Sequence, residues 1–320
     1  VQRACVGAAV AAACGRPAVF LCGDEREVQV LSADLETLTG RRPVTLLGRE
    51  WQFRPGAVGS RDWERSRLAA LYALAQGEAP LVVATADGLM ARTMPPELLR
   101  SLALTLEVGG QADLGQLTDR LLSAGYTRCE QVEGVGQFAL RGGILDVYPP
   151  DAKAPARAEF WGDEIDTLAS FDLLSQRRDE PLKKLHISPA REVLFGDAAA
   201  TAAALRSALG AQKGQRRAAM ERAMQPDLEQ LDAGVVPEAL DKYLALRYPK
   251  PATLLDYFAD PVLVLEEPSA IREAQRATAF RRGEELKGLY EEGVLCPGLD
   301  VLYEDLPFLL AAAQKETSIC

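Results

Sequence analysis

The period of apolar positions along this chain changes twice. Up to about residue 110, continuously apolar runs alternate with stretches whose apolar residues recur every three or four positions. Residues 15–23, 42–48, 79–90 and 102–109 are runs of the first kind. They read as strands, because a strand covered on both faces of a parallel sheet has no polar side. Residues 25–39 and 60–77 are of the second kind. Asp24 caps the first of these helices and Gly40 closes it, while Trp63, Leu68, Leu71 and Leu74 line one side of the second. This β-α-β-α punctuation predicts a parallel α/β layer.

Near Gly110 the texture changes. Residues 113–125 read as one more helix. From Tyr126 to about Ile187, short strand-like runs are joined by tight turns: GQFALR, then GILDVYP after Gly142-Gly143, then RAEFW and IDTLASFD around Gly162-Asp163-Glu164. These predict an antiparallel meander. Helical spacing returns over 197–209, 213–231, 236–246 and 269–291, with a buried strand over 259–268. The expected fold class is therefore α/β, a discontinuous parallel-sheet domain interrupted by a small inserted antiparallel β domain. Residues 1–110 supply its first part, 111–195 the insert, and 196–320 a helix-rich second part.

Composition narrows the chemistry. The 320 residues fit two domains of ~150 each. A net charge of −10 excludes DNA binding by broad phosphate neutralisation. Cysteines 5, 14, 22, 129, 296 and 320 contain no Cys-x-x-Cys pair, and His186 is the only histidine, so no zinc set is expected. Scattered thiols fit a reducing cytoplasm. No apolar run approaches the ~18 residues of a membrane span, and residues 1–14 lack a signal-peptide pattern. The expectation is a cytoplasmic chain with no membrane partner. It starts at Val1 and ends just after the helix-like FLLAAAQKE, and both ends look cut from a longer protein.

Nucleotide chemistry is not expected either. No Gly-x-x-x-x-Gly-Lys-[Ser/Thr] string occurs, and the turn after the first strand reads GDERE, whose Asp24 and Glu25 would repel phosphate. Asp87, after the third strand, is a weak echo of a metal-binding acid. No catalytic residue and no cofactor is assigned.

In RAEFW, strand alternation puts Arg157, Glu159 and Trp161 on one side and Ala158 and Phe160 on the other. Phe160 suits the core, which turns Trp161 outward beside Arg157. Two readings stand: an Arg-Trp interface hot spot, or Trp161 packed on a neighbouring domain with Arg157 paired to Glu159. Arg141 precedes Gly142-Gly143, which read as a tight turn, at a place where a bulge could re-aim its side chain. Asp146, Glu159, Asp163, Glu164 and Asp166 read as solvated turn carboxylates, His186 as structural, and 175–184 as a solvent-facing charged rim.

The runs FALRGGILDVYPP (138–150) and RAEFWGDEIDTLASFD (157–172) together resemble the second domain of bacterial transcription-repair coupling factors, shared with the excision-repair subunit UvrB. FDLLSQRR (171–178) favours the coupling factors over UvrB. RDWERSRLAALYAL and YPKPATLLDYFADPVLVLEEP resemble the same family's N-terminal module, so the resemblance covers nearly the whole chain. It implies a UvrB-homology module: a degenerate RecA/helicase-like domain without its nucleotide site, carrying an insert that docks on UvrA, the damage-recognition ATPase of nucleotide excision repair. Carried over residue by residue, the UvrA contact comprises Arg141, Arg157 and Trp161, and the facing surface should be acidic. The implied role is recruitment of UvrA to RNA polymerase stalled at DNA lesions, by binding and not by catalysis. RNA polymerase and DNA would be engaged only through other parts of such a protein, including an ATP- and Mg-dependent motor, and the rest of the coupling factor would be an intramolecular partner that masks the UvrA surface at rest. The competing reading is a fragment of a UvrB-like DNA-dependent ATPase/helicase with its nucleotide motifs truncated. For a DNA-gripping hairpin, residues 48–66 offer it only Trp51, Phe53 and Trp63.

Overall fold

All five residues of Ala18–Cys22 and all five of Leu81–Thr85 are buried, the mark of strands covered on both faces. A computed structural model describes residues 2–54, 62–78, 80–194, 197–295 and 298–314 of the chain. Its first part runs α1 (Gln2–Cys14), β1 (Ala18–Cys22), α2 (Glu25–Thr39), β2 (Val44–Leu46), α3 (Asp62–Ala75), β3 (Leu81–Thr85), α4 (Ala86–Met90), α5 (Pro96–Leu102) and β4 (Leu104–Glu107). The caps of α2 are those expected. The Asp24 side chain accepts from the Glu27 N–H, and Gly40 closes the helix in the left-handed region.

Four strands make the parallel sheet, in the order β12-β1-β3-β2, where β12 is Val262–Leu265. The fourth strand therefore comes from beyond the β-rich region, and the α/β layer is assembled from both halves of the chain. Residues 102–109 are a correction. Their strand, β4, leaves the parallel sheet and pairs antiparallel with β11 (Lys184–Ile187), Leu106 opposite Leu185 and Leu104 opposite Ile187. Leu104 and Leu106 are buried while Thr105 and Glu107 are exposed, the alternation of a strand covered on one side only. This ribbon zips together the two passes of chain that enter and leave the β-rich region.

Two further expectations change. The run 79–90 is not one strand, and residue 79 lies outside the described residues. Its strand stops at Thr85, whose hydroxyl accepts from the Gly88 N–H and caps α4. Over 236–246 there is no continuous helix, only a 3-10 turn at Asp241–Tyr243 followed by α9 (Leu244–Arg247). Burial of Tyr243, Leu244 and Tyr248 and capture of the Asp241 carboxylate override the periodicity there. Residues 60 and 61 of the helix expected over 60–77, and Cys296 and Cys320, lie outside the described residues.

Between β4 and β11 run α6 (Leu114–Ser123), β5 (Thr127–Arg128), β6 (Gln137–Arg141), β7 (Ile144–Val147), β8 (Ala156–Trp161), β9 (Glu164–Phe171) and β10 (Arg178–Pro181). They form a six-stranded sheet in the order β10-β9-β8-β7-β6-β5, antiparallel except where the two-residue β5 joins β6 in parallel. One face, with Phe138, Leu145, Val147, Ala156, Ala158 and Leu168, packs with Leu117 and Leu121 of α6 into its own core. The rest of the chain adds α7 (Ala198–Gly210), α8 (Gly214–Asp232), α10 (Pro268–Glu291) and α11 (Leu306–Gln314). Among the described residues no helix is long and apolar enough to cross a membrane.

The two units are tied by side chains. Arg65 of α3 donates to the carbonyls of Pro150 and Ala152 in the insert. Just past β11, the fully buried Glu192 carboxylate meets Arg49 Nη1 at 3.1 Å, Arg67 Nε at 2.8 Å and Thr93 Oγ1 at 2.7 Å. Arg49 in turn reaches Asp241 at 2.6 Å. Removing one member leaves buried charge uncompensated, so Glu192→Ala should lower stability by about 3–5 kcal/mol. By contrast, Arg206→Ala, which breaks the exposed pair with Asp232, should cost no more than about 0.5 kcal/mol. Urea unfolding of the two variants beside the parent chain checks both figures.

Candidate functional site

The second face of the six-stranded sheet holds charge where the first holds a core. Alternation sets Ala139 and Arg141 of β6, Ile144 and Asp146 of β7, and Arg157, Glu159 and Trp161 of β8 on it. Asp146 is fully buried, which corrects its reading as a solvated turn acid. Its position explains the burial. In the ladder it lies between Ala139 and Arg157, and Ala139 belongs to a small apolar cluster with Val132, Tyr148 and Phe171.

A buried carboxylate needs partners, and both arginines supply them. Arg157 grips it with two parallel bonds, Nε to Oδ1 at 2.6 Å and Nη2 to Oδ2 at 2.9 Å. Arg141 Nη2 donates to Oδ2 at 2.5 Å. Arg157 therefore pairs with Asp146 and not with Glu159, whose own partner is Arg178 at 2.5 Å. The guanidinium of Arg157 is raised above its ordinary pKa, first by its hydrogen bond to Asp146.

The two arginines are not equivalent. Arg157 also stacks over the Phe171 ring, its CZ 4.7 Å from the centroid, and donates Nη1 to the Gln176 carbonyl. Only 15% of its side chain is exposed, against 47% for Arg141. With two positive heads on one negative group, the cluster keeps a net positive charge, and Arg141 is the head that turns it to solvent.

Trp161 stands 85% exposed at the tip of the β8–β9 hairpin. The hairpin itself is anchored. Gly109 N donates to the Ile165 carbonyl, Ile165 N to Gly110, and Ala112 N to Asp163, at 2.8–2.9 Å. Gly162 supplies the positive φ of the turn, and an irregularity in the β8–β9 register falls between Glu159 and Phe160. The indole thus stands mostly in solvent on an anchored backbone. At the adjacent β6–β7 hairpin, Gly142 takes φ 60, and a Cβ on Gly143 would approach the Phe160 carbonyl to 2.9 Å. Arg141 pairs there with Ile144 without a bulge.

The other candidates take structural places. Asp163, Glu164 and Asp166 are exposed. His186 is exposed on β11 with Nδ1 3.2 Å from the Thr105 hydroxyl. Trp51 gives its indole N–H to the Tyr303 hydroxyl and stacks on buried Phe53. Among the described residues no group of three His, Cys, Asp or Glu side chains could hold a metal ion.

The turn between β1 and α2 is occupied by the chain's own acids. Glu27 Oε2 accepts from Gly23 N and Asp24 Oδ1 from Glu27 N, so amides at the helix start already face carboxylates. A cleft of about 260 Å³ beside it is lined by Asp24, Glu25, Thr85, Asp87 and Arg281, among others. Asp87 is paired with Arg282 at 2.8 Å. Burial, with Glu27, Glu266 and Asp24 nearby, pushes the Cys22 thiol up to about 12, so it stays protonated at neutral pH.

Reasoning from sequence missed two parts of this face. One is the buried role of Asp146. The other is Gln176, which adopts φ 58 and donates its amide to the carbonyls of Val132 and Leu173. The alternation of ILDV carried a signal for the first, since Asp146 shares a face with Arg141 and Arg157.

The UvrB interaction domain family matches residues 104–193, from β4 through the insert to the segment beyond β11. The chain is 32% identical over 300 residues to the transcription-repair-coupling factor of Bacillus subtilis, covering 91% of this chain and 26% of that protein. Against the transcription-repair-coupling factor of Myxococcus xanthus it is 30% identical over 313 residues, covering 89% and 25%. That of Staphylococcus haemolyticus is 28% identical over 236 residues, covering 71% and 20%. The chain thus spans about a quarter of the length of these relatives. Residues 104–193 belong to the UvrB interaction domain family, within a chain homologous along most of its length to transcription-repair-coupling factors.

Proposed function

We propose that this chain is the UvrA-docking module of a transcription-repair coupling factor, the N-terminal UvrB-homology region of a longer cytoplasmic protein. Its insert captures UvrA, and so brings excision repair to RNA polymerase stalled at a lesion. The observation that carries this reading is the pre-aimed pair of Arg141 and Trp161. One is a guanidinium anchored through a buried carboxylate; the other is an indole held in water by an anchored hairpin. Exposed Arg and Trp on a rigid base are the composition of a binding hot spot, because little side-chain freedom remains to be lost on association. A net positive cluster on a strongly acidic chain selects a partner patch that is locally acidic.

Binding is the whole of the activity in this reading. The parallel layer serves as a helicase-like scaffold without a nucleotide site, since acids stand where phosphate would sit at the start of α2. Engagement of polymerase and DNA, with ATP and Mg, belongs to the regions that the longer relatives have in addition.

Calorimetry with purified UvrA tests the docking. Arg141→Ala and Trp161→Ala should each weaken binding about 30-fold or more, the range of interface hot spots. The melting temperature should stay put for Trp161→Ala and drop slightly for Arg141→Ala, which removes one hydrogen bond from buried Asp146. Affinity equal to the parent in both variants overturns the reading. DNA-stimulated ATP turnover by the chain alone would instead favour the ATPase-fragment alternative.

Asp146→Ala separates positioning from contact. Left facing each other without their carboxylate, the two arginines should cost the fold about 2 kcal/mol, less than a fully buried pair because Arg141 reaches water. UvrA affinity should fall as well, although Asp146 is itself out of reach of any partner. Glu159→Ala, which removes a half-exposed pair, should change stability by under about 0.5 kcal/mol.

A further inference from the structure

Leu174 is 95% exposed, more than any other large apolar side chain among the described residues. Its loop, Asp172–Arg177, is tightly built. The Asp172 carboxylate accepts from both the N–H and the hydroxyl of Ser175, bonds that hold it below its ordinary pKa. Gln176 N donates back to the Asp172 carbonyl, and Asp172 N to the Arg177 carbonyl. Gln176 sits at φ 58, a region that a residue with a side chain occupies only at a cost of about 1–3 kcal/mol. Its amide ties the loop to Leu173 and Val132, and Leu173 packs against the cluster of Val132 and Phe171.

Every one of these contacts fixes the loop, and none of them uses the Leu174 side chain. A polar residue there would serve the fold equally well. The loop also belongs to the charged face, because the Gln176 carbonyl accepts from Arg157. The Arg–Asp–Arg cluster therefore lies between two exposed apolar side chains, Trp161 at the hairpin tip and Leu174 at the far end of β9. Trp161 lies four residue steps along β8 from Arg157, so the apolar pair is at least ~13 Å apart. Arg177 and Arg178 beside Leu174 are exposed as well.

We propose that Leu174 is a second apolar anchor of the docking face, seated in a separate apolar socket of the same partner that takes Arg141 and Trp161. This rests on the UvrA-docking reading and adds to it. The matching surface has two apolar sockets flanking a carboxylate patch, with the socket for Leu174 rimmed by acid. Continuity with the Arg141–Asp146–Arg157 cluster commits the loop to that partner rather than to a second copy of this acidic chain, whose net charge opposes self-association.

Titration calorimetry of the 320-residue chain with UvrA, at several temperatures, tests it. Leu174→Ala should weaken binding about tenfold and make the heat-capacity change on binding less negative, as loss of buried apolar surface requires. Leu174→Asp should weaken it further, about a hundredfold, by setting a charge against an acid-rimmed apolar socket. Both should melt with the parent chain. Phe280→Asp, at an exposed aromatic on α10, should bind like the parent. If the parent binds UvrA and both Leu174 variants match it in affinity and heat capacity, the second anchor is overturned while the docking reading survives. If the parent itself does not bind, the docking reading falls, and this inference with it.

Discussion

A carboxylate withdrawn from water has to be answered by charge, and Glu192 is answered twice. Arg49 comes from beyond β2 and Arg67 from α3, while Thr93, following α4, adds a hydroxyl. Arg49 then carries the network to Asp241, far along the chain. Burial alone would lower the Arg49 pKa, but Asp241 and Glu192 outweigh it and hold the guanidinium charged. A parallel layer assembled from both sides of a long insertion has no covalent means of keeping its parts in register. Pairing of β12 with β1 closes the sheet, and the Glu192 network closes the layer around the point where the insert returns.

The same device recurs on the insert with a different result. Asp146 too is sealed from solvent beneath two arginines. Around Glu192 both cations are buried, so neither guanidinium is offered to solvent and the cluster serves the fold. Around Asp146 one cation, Arg157, is spent on the carboxylate, the Phe171 ring and the Gln176 carbonyl, and the other remains half in water. On the docking reading proposed above, the difference between a structural knot and a recognition surface is thus one of exposure. The chemistry of the pair is common to both.

Elements whose environment is written in their own period were legible in the sequence. β1 is apolar throughout and β3 is so up to its last residue, Thr85, and α2 carries both its caps. The parallel α/β layer and the separate antiparallel sheet followed from those patterns. β4 was misread because LALTLEVG is apolar enough to pass for a buried strand, although its Thr105 and Glu107 mark an exposed side. The stretch 236–246 has helical spacing, but Asp241 is drawn to Arg49, and no local pattern reveals an attraction between residues 192 apart. At the site, alternation alone put Arg157 and Trp161 on one face. The partner of Arg157 could not be read in the same way, because Glu159 is nearer in sequence while Asp146 is nearer across the ladder. Gln176 was illegible for a further reason: a left-handed glutamine leaves no trace in composition.

A docking surface gains from rigidity in a way that an active site with moving parts does not. Each side chain already fixed before association is one whose freedom need not be lost during it. The anchored hairpin under Trp161, the carboxylate under Arg141 and the bonded loop under Leu174 all act in that sense, on three backbone segments that share a single sheet. The apolar core on the opposite face, packed on α6 and the β4–β11 ribbon, keeps that sheet from flexing. The parallel layer contributes at a distance, by holding β4 and the Arg65 contacts from which the insert is suspended. Scaffold and surface are therefore coupled mechanically through Arg65 and Glu192, whose contacts bridge the parallel layer and the insert.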